Sequence, residues 1–186
     1  MYRLDFDAVI IGGGMTGLAM AGQLGRLGLK TAIIEKQIPE PFHPTQNFDL
    51  RVSALSPQSV KMLQNIGAWE HIENMRSCPY RQMRVWEMRG FGDVTFEAAS
   101  IGEPCLGYIV ENRIIQLALL ECIDKMEEVD ILSPASCVAF DRNGSGMSVT
   151  LQDQRVLNCR LLIGADGANS EVRDSFGITI QMDTYN

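Results

Sequence analysis

A glycine-rich segment between two apolar stretches constrains this chain more than any other feature. It runs Gly12-Gly13-Gly14-Met15-Thr16-Gly17 and has the spacing G-x-G-x-x-G. The apolar run Phe6–Ile11 before it predicts a buried strand, and the apolar residues of Met15–Leu27 recur at helical spacing. Thr31–Ile34 is β-branched and apolar. Together these stretches predict a βαβ unit with a right-handed crossover.

Each glycine of this spacing has a physical reason in that context. Gly12 permits a tight turn, Gly14 lacks a Cβ that would keep a diphosphate from the backbone, and Gly17 lets the helix pack closely on the strand. The free N–H groups at the helix start attract phosphate. Glu35, at the end of the second strand, can accept a ribose 2′-hydroxyl and repels a 2′-phosphate. The pattern therefore predicts FAD or NAD rather than NADP, and the alternative is a glycine-rich turn without a ligand.

A second glycine-containing segment follows another apolar stretch. Leu161–Ile163 predicts a strand that runs into Gly164-Ala165-Asp166-Gly167, and Ser170–Phe176 predicts a short helix. Asp166 could accept a ribose hydroxyl or cap that helix. From these residues alone capping is favoured.

The remaining patterns predict a mixed α/β fold. Ser56–Ile66 should be a helix that Ser56 caps, with Pro57 in its first position and Gly67 at its end. Asn112–Met126 should be a further helix. Predicted strands are Met83–Met88, Val94–Phe96, Leu106–Val110, Val129–Leu132, Ser136–Phe140 and Met147–Leu151, with turns at Gly90–Asp93 and Asn143–Gly146. We expect a Rossmann-like βαβ core with inserted antiparallel strands.

Composition and charge exclude several classes of protein. The 186 residues suit one globular domain, and the net charge of -7 argues against nucleic acid as a partner. The five cysteines are scattered and are expected to be reduced and mostly buried. Neither their spacing nor His43 and His71 predicts a metal site or a catalytic relay. Without a signal peptide or an apolar span, we expect a cytoplasmic protein.

A run of arginines interrupts this acidic chain. Arg76, Arg81, Arg84 and Arg89 are interleaved with Tyr80 and Trp86. A solvated strand face is the favoured interpretation, and a surface for nucleic acid or an anionic membrane is the alternative.

Four segments together carry a resemblance to a known family. They are Gly12–Gly17 with Glu35, Asp49–Ser56, Leu106–Asn112 and Gly164–Ser170. They resemble the flavin-dependent hydroxylases of ubiquinone biosynthesis, within the group A flavoprotein monooxygenases that include para-hydroxybenzoate hydroxylase. Met75–Arg81 with Trp86 and Glu87 is similar to the branch that hydroxylates the 3-methyl-6-methoxy-benzoquinol intermediate.

The resemblance implies a set of cofactor contacts. Arg51 would approach the flavin's phosphates, and either Asn112 or Arg113 would open a helix near the cofactor. Asp166 and Gly167 would serve FAD and the NAD(P)H that visits transiently. The implied cofactor-binding residues are Gly12, Gly14, Met15, Thr16, Gly17, Glu35, Lys36, Arg51, Asn112, Asp166 and Gly167. No catalytic side chain is implied.

The resemblance also implies an architecture and an activity. Residues 1–186 would be the N-terminal part of an FAD/NAD(P)-binding domain, without the substrate domain and the later Gly-Asp motif. The parent enzyme would hydroxylate an aromatic, prenylated benzoquinol or phenol, and could associate with the inner membrane or with a ubiquinone-synthesis complex. The alternatives are a non-catalytic FAD-binding fragment and an NAD-dependent dehydrogenase. Substrate, ring position, electron donor and oligomeric state stay open.

Overall fold

Five helices and eleven strands make up the parts of the chain that the structure describes. The computed structural model describes residues 4–88, 90–144 and 146–182, without the side chain of residue 143. Arg89 of the arginine run and Ser145 of the predicted turn therefore lie outside the described residues. In chain order the elements are β1 (Phe6–Ile11), α1 (Met15–Arg26), β2 (Thr31–Ile34), β3 (Val52–Leu55), α2 (Pro57–Ile66), α3 (Ala68–Met75), β4 (Cys78–Tyr80), β5 (Gln82–Trp86), β6 (Asp93–Glu97), β7 (Gly107–Glu111), α4 (Asn112–Ile123), β8 (Val129–Leu132), β9 (Cys137–Asn143), β10 (Gly146–Leu151), β11 (Val156–Gly164) and α5 (Glu171–Ser175).

Contacts divide the chain into two compact units. One comprises the chain up to Pro39 and the chain from Cys122 onward, and the other comprises Glu40–Glu121.

The first unit is built on a six-stranded sheet in the order β8-β2-β1-β11-β10-β9. The four strands β8, β2, β1 and β11 run parallel, whereas β10 pairs antiparallel with both β11 and β9. A parallel pair needs a crossover, and α1 supplies it between β1 and β2. The predicted βαβ core with inserted antiparallel strands is confirmed.

The centre of this sheet is apolar on both faces. Val9 and Ile10 of β1 and Ile33 of β2 are fully buried, which explains why these strands read as continuous apolar runs rather than as alternating ones. Leu18 and Ala21 of α1 are also fully buried. The helix therefore presents its apolar stripe to the interior, and its glycine-rich start lies at the carboxyl end of β1.

The second unit contains α2, α3, most of α4 and two small sheets. Strands β3, β7 and β4 form one sheet, and β5 pairs with β6 in a separate hairpin. The Ser56 hydroxyl accepts the Ser59 N–H at the start of α2, and Gly67 ends the helix with φ +94°. The predicted cap and stop are confirmed.

Several sequence predictions needed correction. Strands β3 and β4 and helix α3 were missed, because the strands have only three or four residues and α3 begins directly after Gly67. Helix α4 ends at Ile123 rather than at Met126. All five cysteines are free, but only Cys105 and Cys159 are buried, so the expectation that most are buried was wrong.

Candidate cofactor-binding site

The three motif glycines differ in what surrounds them. A Cβ on Gly12 would lie 2.4 Å from the Ala165 carbonyl oxygen, and one on Gly17 would lie 2.0 Å from the Gly12 carbonyl oxygen. Both positions exclude a side chain for packing reasons. A Cβ on Gly14 would meet no atom within 4 Å. The open space beside Gly14 fits the close approach of a ligand diphosphate to the backbone.

Helix α1 starts without a side-chain cap. Its N-cap is Gly14 in an extended conformation, and the Leu18 N–H donates to the Gly14 carbonyl oxygen. The N–H groups of Met15, Thr16 and Gly17 lie in the first turn, where helix geometry provides no acceptor. With the helix dipole, they create a positive potential next to that open space.

Glu35 faces the glycine loop. Its Oε2 accepts the Gly13 N–H at 2.5 Å, and its Oε1 accepts the Gln37 N–H at 2.8 Å. A carboxylate has about four lone-pair sites, so acceptor capacity remains for a ribose hydroxyl. Two backbone donors fix the carboxylate before any ligand arrives.

Asp166 supports the start of α5, where Ser170 is the N-cap and its hydroxyl accepts the Arg173 N–H. The Asp166 Oδ1 accepts the Ser170 hydroxyl at 2.6 Å and its Oδ2 accepts the Val172 N–H at 3.2 Å. Burial raises the pKa of the Asp166 carboxyl, but the hydrogen bonds from Ser170, from the Val172 N–H and from neighbouring backbone groups lower it by more. The pKa therefore lies below its ordinary value. Asp166 thus caps the helix start together with Ser170, as the residues favoured.

The two glycine motifs meet at one hollow. A cavity of about 130 Å³ is lined by Gly12, Glu35, Lys36 and Asp166, and so joins residues from both motifs. The main-chain contact between the motifs is the hydrogen bond from the Ala165 N–H to the Ile11 carbonyl oxygen, 2.8 Å long. Gly167, the next residue of the second motif, has a φ of +82°, in the left-handed region that favours glycine.

Sequence reasoning missed the far wall of this hollow. Ala135, Ser136 and Cys137 line it, and Glu171 joins Lys36 across it with a 2.7 Å ion pair. Burial raises the pKa of the Cys137 thiol to about 11, so the side chain stays neutral. The sequence could have indicated residues 135–137. They follow the predicted strand Val129–Leu132, which pairs with β2, and ligands of α/β sheets bind at the carboxyl ends of parallel strands.

Arg51 and Asn112 belong to the second unit. The Arg51 carbonyl oxygen accepts the Asn112 N–H at 3.0 Å, and the Asn112 Oδ1 accepts the Ser53 hydroxyl at 2.7 Å. The Arg51 side chain is exposed, whereas the Arg113 guanidinium is paired with Asp49. Both candidates at the helix start are therefore engaged within the second unit, Asn112 with Ser53 and Arg113 with Asp49.

A larger and more open hollow lies elsewhere in the first unit. It has a volume of about 600 Å³, and its lining includes Arg142, Met147, Arg160, Leu161 and Phe176. None of the predicted cofactor residues lines it, so we place the candidate site at the glycine loop.

A comparison with known protein families identifies the family to which the chain and its glycine loop belong. A sequence profile of the family described as "FAD binding domain" matches residues 5–185. The chain belongs to this family. FAD is accordingly the cofactor, and the open space at Gly14 and the uncapped start of α1 suit its diphosphate.

Two relatives of this FAD binding domain are named as a demethoxyubiquinol hydroxylase and a ubiquinone biosynthesis monooxygenase. The chain is 37% identical over 185 residues to 3-demethoxyubiquinol 3-hydroxylase of Escherichia coli (strain K12), covering 100% of this chain and 47% of that protein. It is 36% identical to ubiquinone biosynthesis monooxygenase COQ6, mitochondrial, of Xenopus tropicalis, covering 97% of this chain and 42% of the relative. The predicted resemblance is confirmed, and the chain spans less than half the length of these relatives.

Solved structures agree with the fold. The p-nitrophenol 4-monooxygenase PnpA of Pseudomonas putida DLL-E4 superposes with a TM-score of 0.77 at 19% identity, covering 100% of this chain and 46% of that one. The flavin-dependent monooxygenase PieE in complex with FAD and substrate gives 0.74 at 18% identity, over 96% of this chain and 33% of that one. Among the described helices, none is long and apolar enough to cross a bilayer.

Proposed function

We propose that this chain is the FAD-binding part of a monooxygenase that hydroxylates the aromatic ring of a prenylated benzoquinol or phenol in ubiquinone biosynthesis. The observation that carries the proposal is the hollow shared by the two glycine motifs, in a chain whose relatives are named as ubiquinone hydroxylases. The 3-demethoxyubiquinol substrate class is the finer part of the proposal and rests on the 37% identical relative.

The residues of the first unit would hold the ADP half of FAD. The first-turn N–H groups of Met15, Thr16 and Gly17 would donate to the diphosphate, and Glu35 would accept a ribose hydroxyl. Lys36 would lie at the rim of the adenosine side, and Asp166 with Gly167 would close the other side. Residues 1–186 would thus form the N-terminal part of an FAD/NAD(P)-binding domain.

The chemistry needs three reactants besides the enzyme. FAD held by these residues would supply the redox chemistry of a hydroxylation, in which NAD(P)H would provide two electrons, one oxygen atom of dioxygen would become the ring hydroxyl and the other would leave as water. The side chains of this chain position the cofactor and keep water from it, and none acts as a covalent nucleophile. For Arg51 the resemblance implies a contact with the flavin's phosphates, and a guanidinium matches phosphate geometry.

FAD binding by the purified chain tests the first half of the proposal. Titration of FAD into the chain should quench flavin fluorescence to a saturating end point, and NAD should compete weakly. Equal competition by NAD would favour the dehydrogenase alternative, and no quenching with FAD would reject the assignment.

Product formation tests the second half. The chain would be incubated with FAD, NAD(P)H, dioxygen and a demethoxyubiquinol, and the products analysed by mass spectrometry. A product with one added oxygen atom would show that the chain itself hydroxylates. FAD binding without product would identify the chain as a binding module.

Peripheral association with a membrane or with a ubiquinone-synthesis complex belongs to the same proposal. Its support is that the relatives are named for a demethoxyubiquinol and for ubiquinone biosynthesis. Flotation of the chain with liposomes tests it.

A further inference from the structure

Lys36 is paired across the hollow that the two glycine motifs share. The Lys36 Nζ lies 2.7 Å from the Glu171 Oε1, and both residues line the hollow together with Glu35 and Asp166. Lys36 follows the end of β2, whereas Glu171 opens α5, 135 residues later in the chain. The ion pair therefore connects the two sides of the hollow within the first unit.

The charges at this hollow are unbalanced. Among the described residues that line it, Glu35, Asp166 and Glu171 are acidic, and Lys36 is the single cation. Cys137 on its wall responds to this imbalance. After burial, the charge of Glu171 is the largest cause that raises the pKa of the Cys137 thiol, and Lys36 lowers that pKa by less. The hollow therefore presents a negative potential to a ligand while the ion pair is intact.

The partner of the lysine is Glu171 rather than the neighbouring Glu35. The Glu35 Oε2 accepts the Gly13 N–H and its Oε1 accepts the Gln37 N–H, so this carboxylate is directed toward backbone donors. The two acids thus have different tasks. Glu35 is fixed at the glycine loop, and Glu171 neutralises Lys36.

The backbone that carries Glu171 is held on both sides. Asp166 accepts the Ser170 hydroxyl at 2.6 Å and the Val172 N–H at 3.2 Å. These two donors come directly before and directly after Glu171. The second glycine motif therefore places the Glu171 carboxylate within reach of Lys36, although both side chains of the pair are more than half exposed.

An unpaired lysine at this position would change which ligands the hollow accepts. FAD, NAD and NADP share an ADP half, and a phosphate on the adenosine 2′-oxygen distinguishes NADP from the other two. With the ribose hydroxyls at Glu35, a 2′-phosphate would enter the part of the hollow that Lys36 lines. A free ammonium group attracts phosphate, whereas one that is held by a carboxylate offers little net charge.

We infer that Glu171 is a specificity-determining residue, which excludes 2′-phosphorylated dinucleotides such as NADP from the cofactor site by holding Lys36. The inference rests on the proposed function, which places the adenosine ribose at Glu35. It divides the discrimination between two carboxylates. Glu35 repels the 2′-phosphate directly, and Glu171 withholds the cation that would attract it.

The ligand preference of charge variants of the full chain tests this inference. The dissociation constants of ADP and 2′-phospho-ADP would be measured by calorimetric titration for the unchanged chain, Glu171→Gln, Lys36→Met and the double variant. We expect Glu171→Gln to reduce the preference for ADP by about 5-fold at low salt, the size expected for one charge pair in water. Because the gain comes from the freed Lys36, it should be much smaller in the Lys36→Met background.

Salt supplies a readout that a purely structural role would not move. The effect of Glu171→Gln should decrease as the ionic strength rises, because salt screens an exposed ammonium–phosphate attraction. Asp174→Asn is the matched control. It removes one carboxylate from the same helix and breaks a 3.0 Å pair with Arg173, but Asp174 does not line the hollow. It should leave the preference unchanged.

Lys36→Met tests the inference independently of α5. It should leave the preference for ADP nearly unchanged, because the lysine is already paired. A marked loss of affinity for 2′-phospho-ADP would overturn the specificity role, since Lys36 would then already serve the phosphate.

The remaining outcomes separate the two proposals. An unchanged preference in Glu171→Gln would overturn the specificity role and leave the proposed function standing. Equal gains with and without Lys36 would do the same, because Glu171 would then act only by direct repulsion. Failure of the unchanged chain to bind ADP and FAD would instead overturn the proposed function.

Discussion

Glu35 and Gly13 are joined by a hydrogen bond of 2.5 Å between the glutamate Oε2 and the glycine N–H. The contact connects the end of β2 with the loop that follows β1, across 22 residues of sequence. It sets the carboxylate against the glycine loop before a ligand is present.

Replacing Glu35 with glutamine should change ligand preference. A neutral amide no longer repels a 2′-phosphate, and its NH₂ group cannot accept from a backbone donor. We expect weaker binding of ADP and a smaller preference for ADP over its 2′-phosphorylated form, both measured by calorimetric titration. Glu40→Gln, in an exposed loop, is the control. An unchanged preference would show that Glu35 does not face the ribose.

Gly14 and Gly17 should respond in opposite ways to substitution. A side chain at Gly14 enters open space, so Gly14→Val should lower the free energy of unfolding only by about 1 kcal/mol, the cost of a poorer N-cap residue, while FAD affinity falls sharply. A Cβ at Gly17 would lie 2.0 Å from the Gly12 carbonyl oxygen, so Gly17→Ala should destabilise the fold itself. Urea unfolding and FAD titration of both variants separate the effects. FAD affinity retained in Gly14→Val would contradict the placement of the diphosphate.

The stability contribution of Asp166 should depend on pH. Because its pKa is lower in the folded chain than the ordinary value of about 4, the contribution is complete above that value. It is lost as the pH falls through the lowered folded pKa. Asp166→Asn should therefore reduce the free energy of unfolding by about 1 kcal/mol at pH 6, which is typical of one net hydrogen bond.

Urea unfolding at several values between about pH 3 and about pH 6 measures this dependence. This range spans the pKa of an ordinary aspartate, which is about 4. The difference between the unchanged chain and Asp166→Asn should shrink toward the acidic limit. A difference that stays constant with pH would mean that the charge of Asp166 contributes nothing to its capping bonds.

The thiols should differ in their rates of alkylation. Cys78 is exposed, whereas burial raises the pKa of both Cys137 and Cys159 to about 11. The thiolate is the reactive form, so at neutral pH Cys78 should react first with iodoacetamide. Peptide mass mapping over time gives the order. Cys137 lines the shared hollow, and rapid labelling there would contradict the environment described for it.

The sequence by itself determined the cofactor loop and the elements that build it. The short apolar runs at Phe6–Ile11 and Thr31–Ile34, on either side of the glycine spacing, favour buried strands. Ser56 and Gly67 marked the ends of α2 because capping is a local interaction within a few residues of chain. Such features depend on residues that are close in sequence, so they can be predicted without knowledge of the tertiary structure.

The tertiary structure alone decided which distant residues share a site. It placed residues 135–137 and Glu171 beside Glu35, and it committed Asp166 to the start of α5. It also paired Arg113 with Asp49, 64 residues earlier in the chain. Contacts of this kind depend on the order of the strands in the sheet and on which charged side chains come together. Neither can be predicted from a short stretch of sequence.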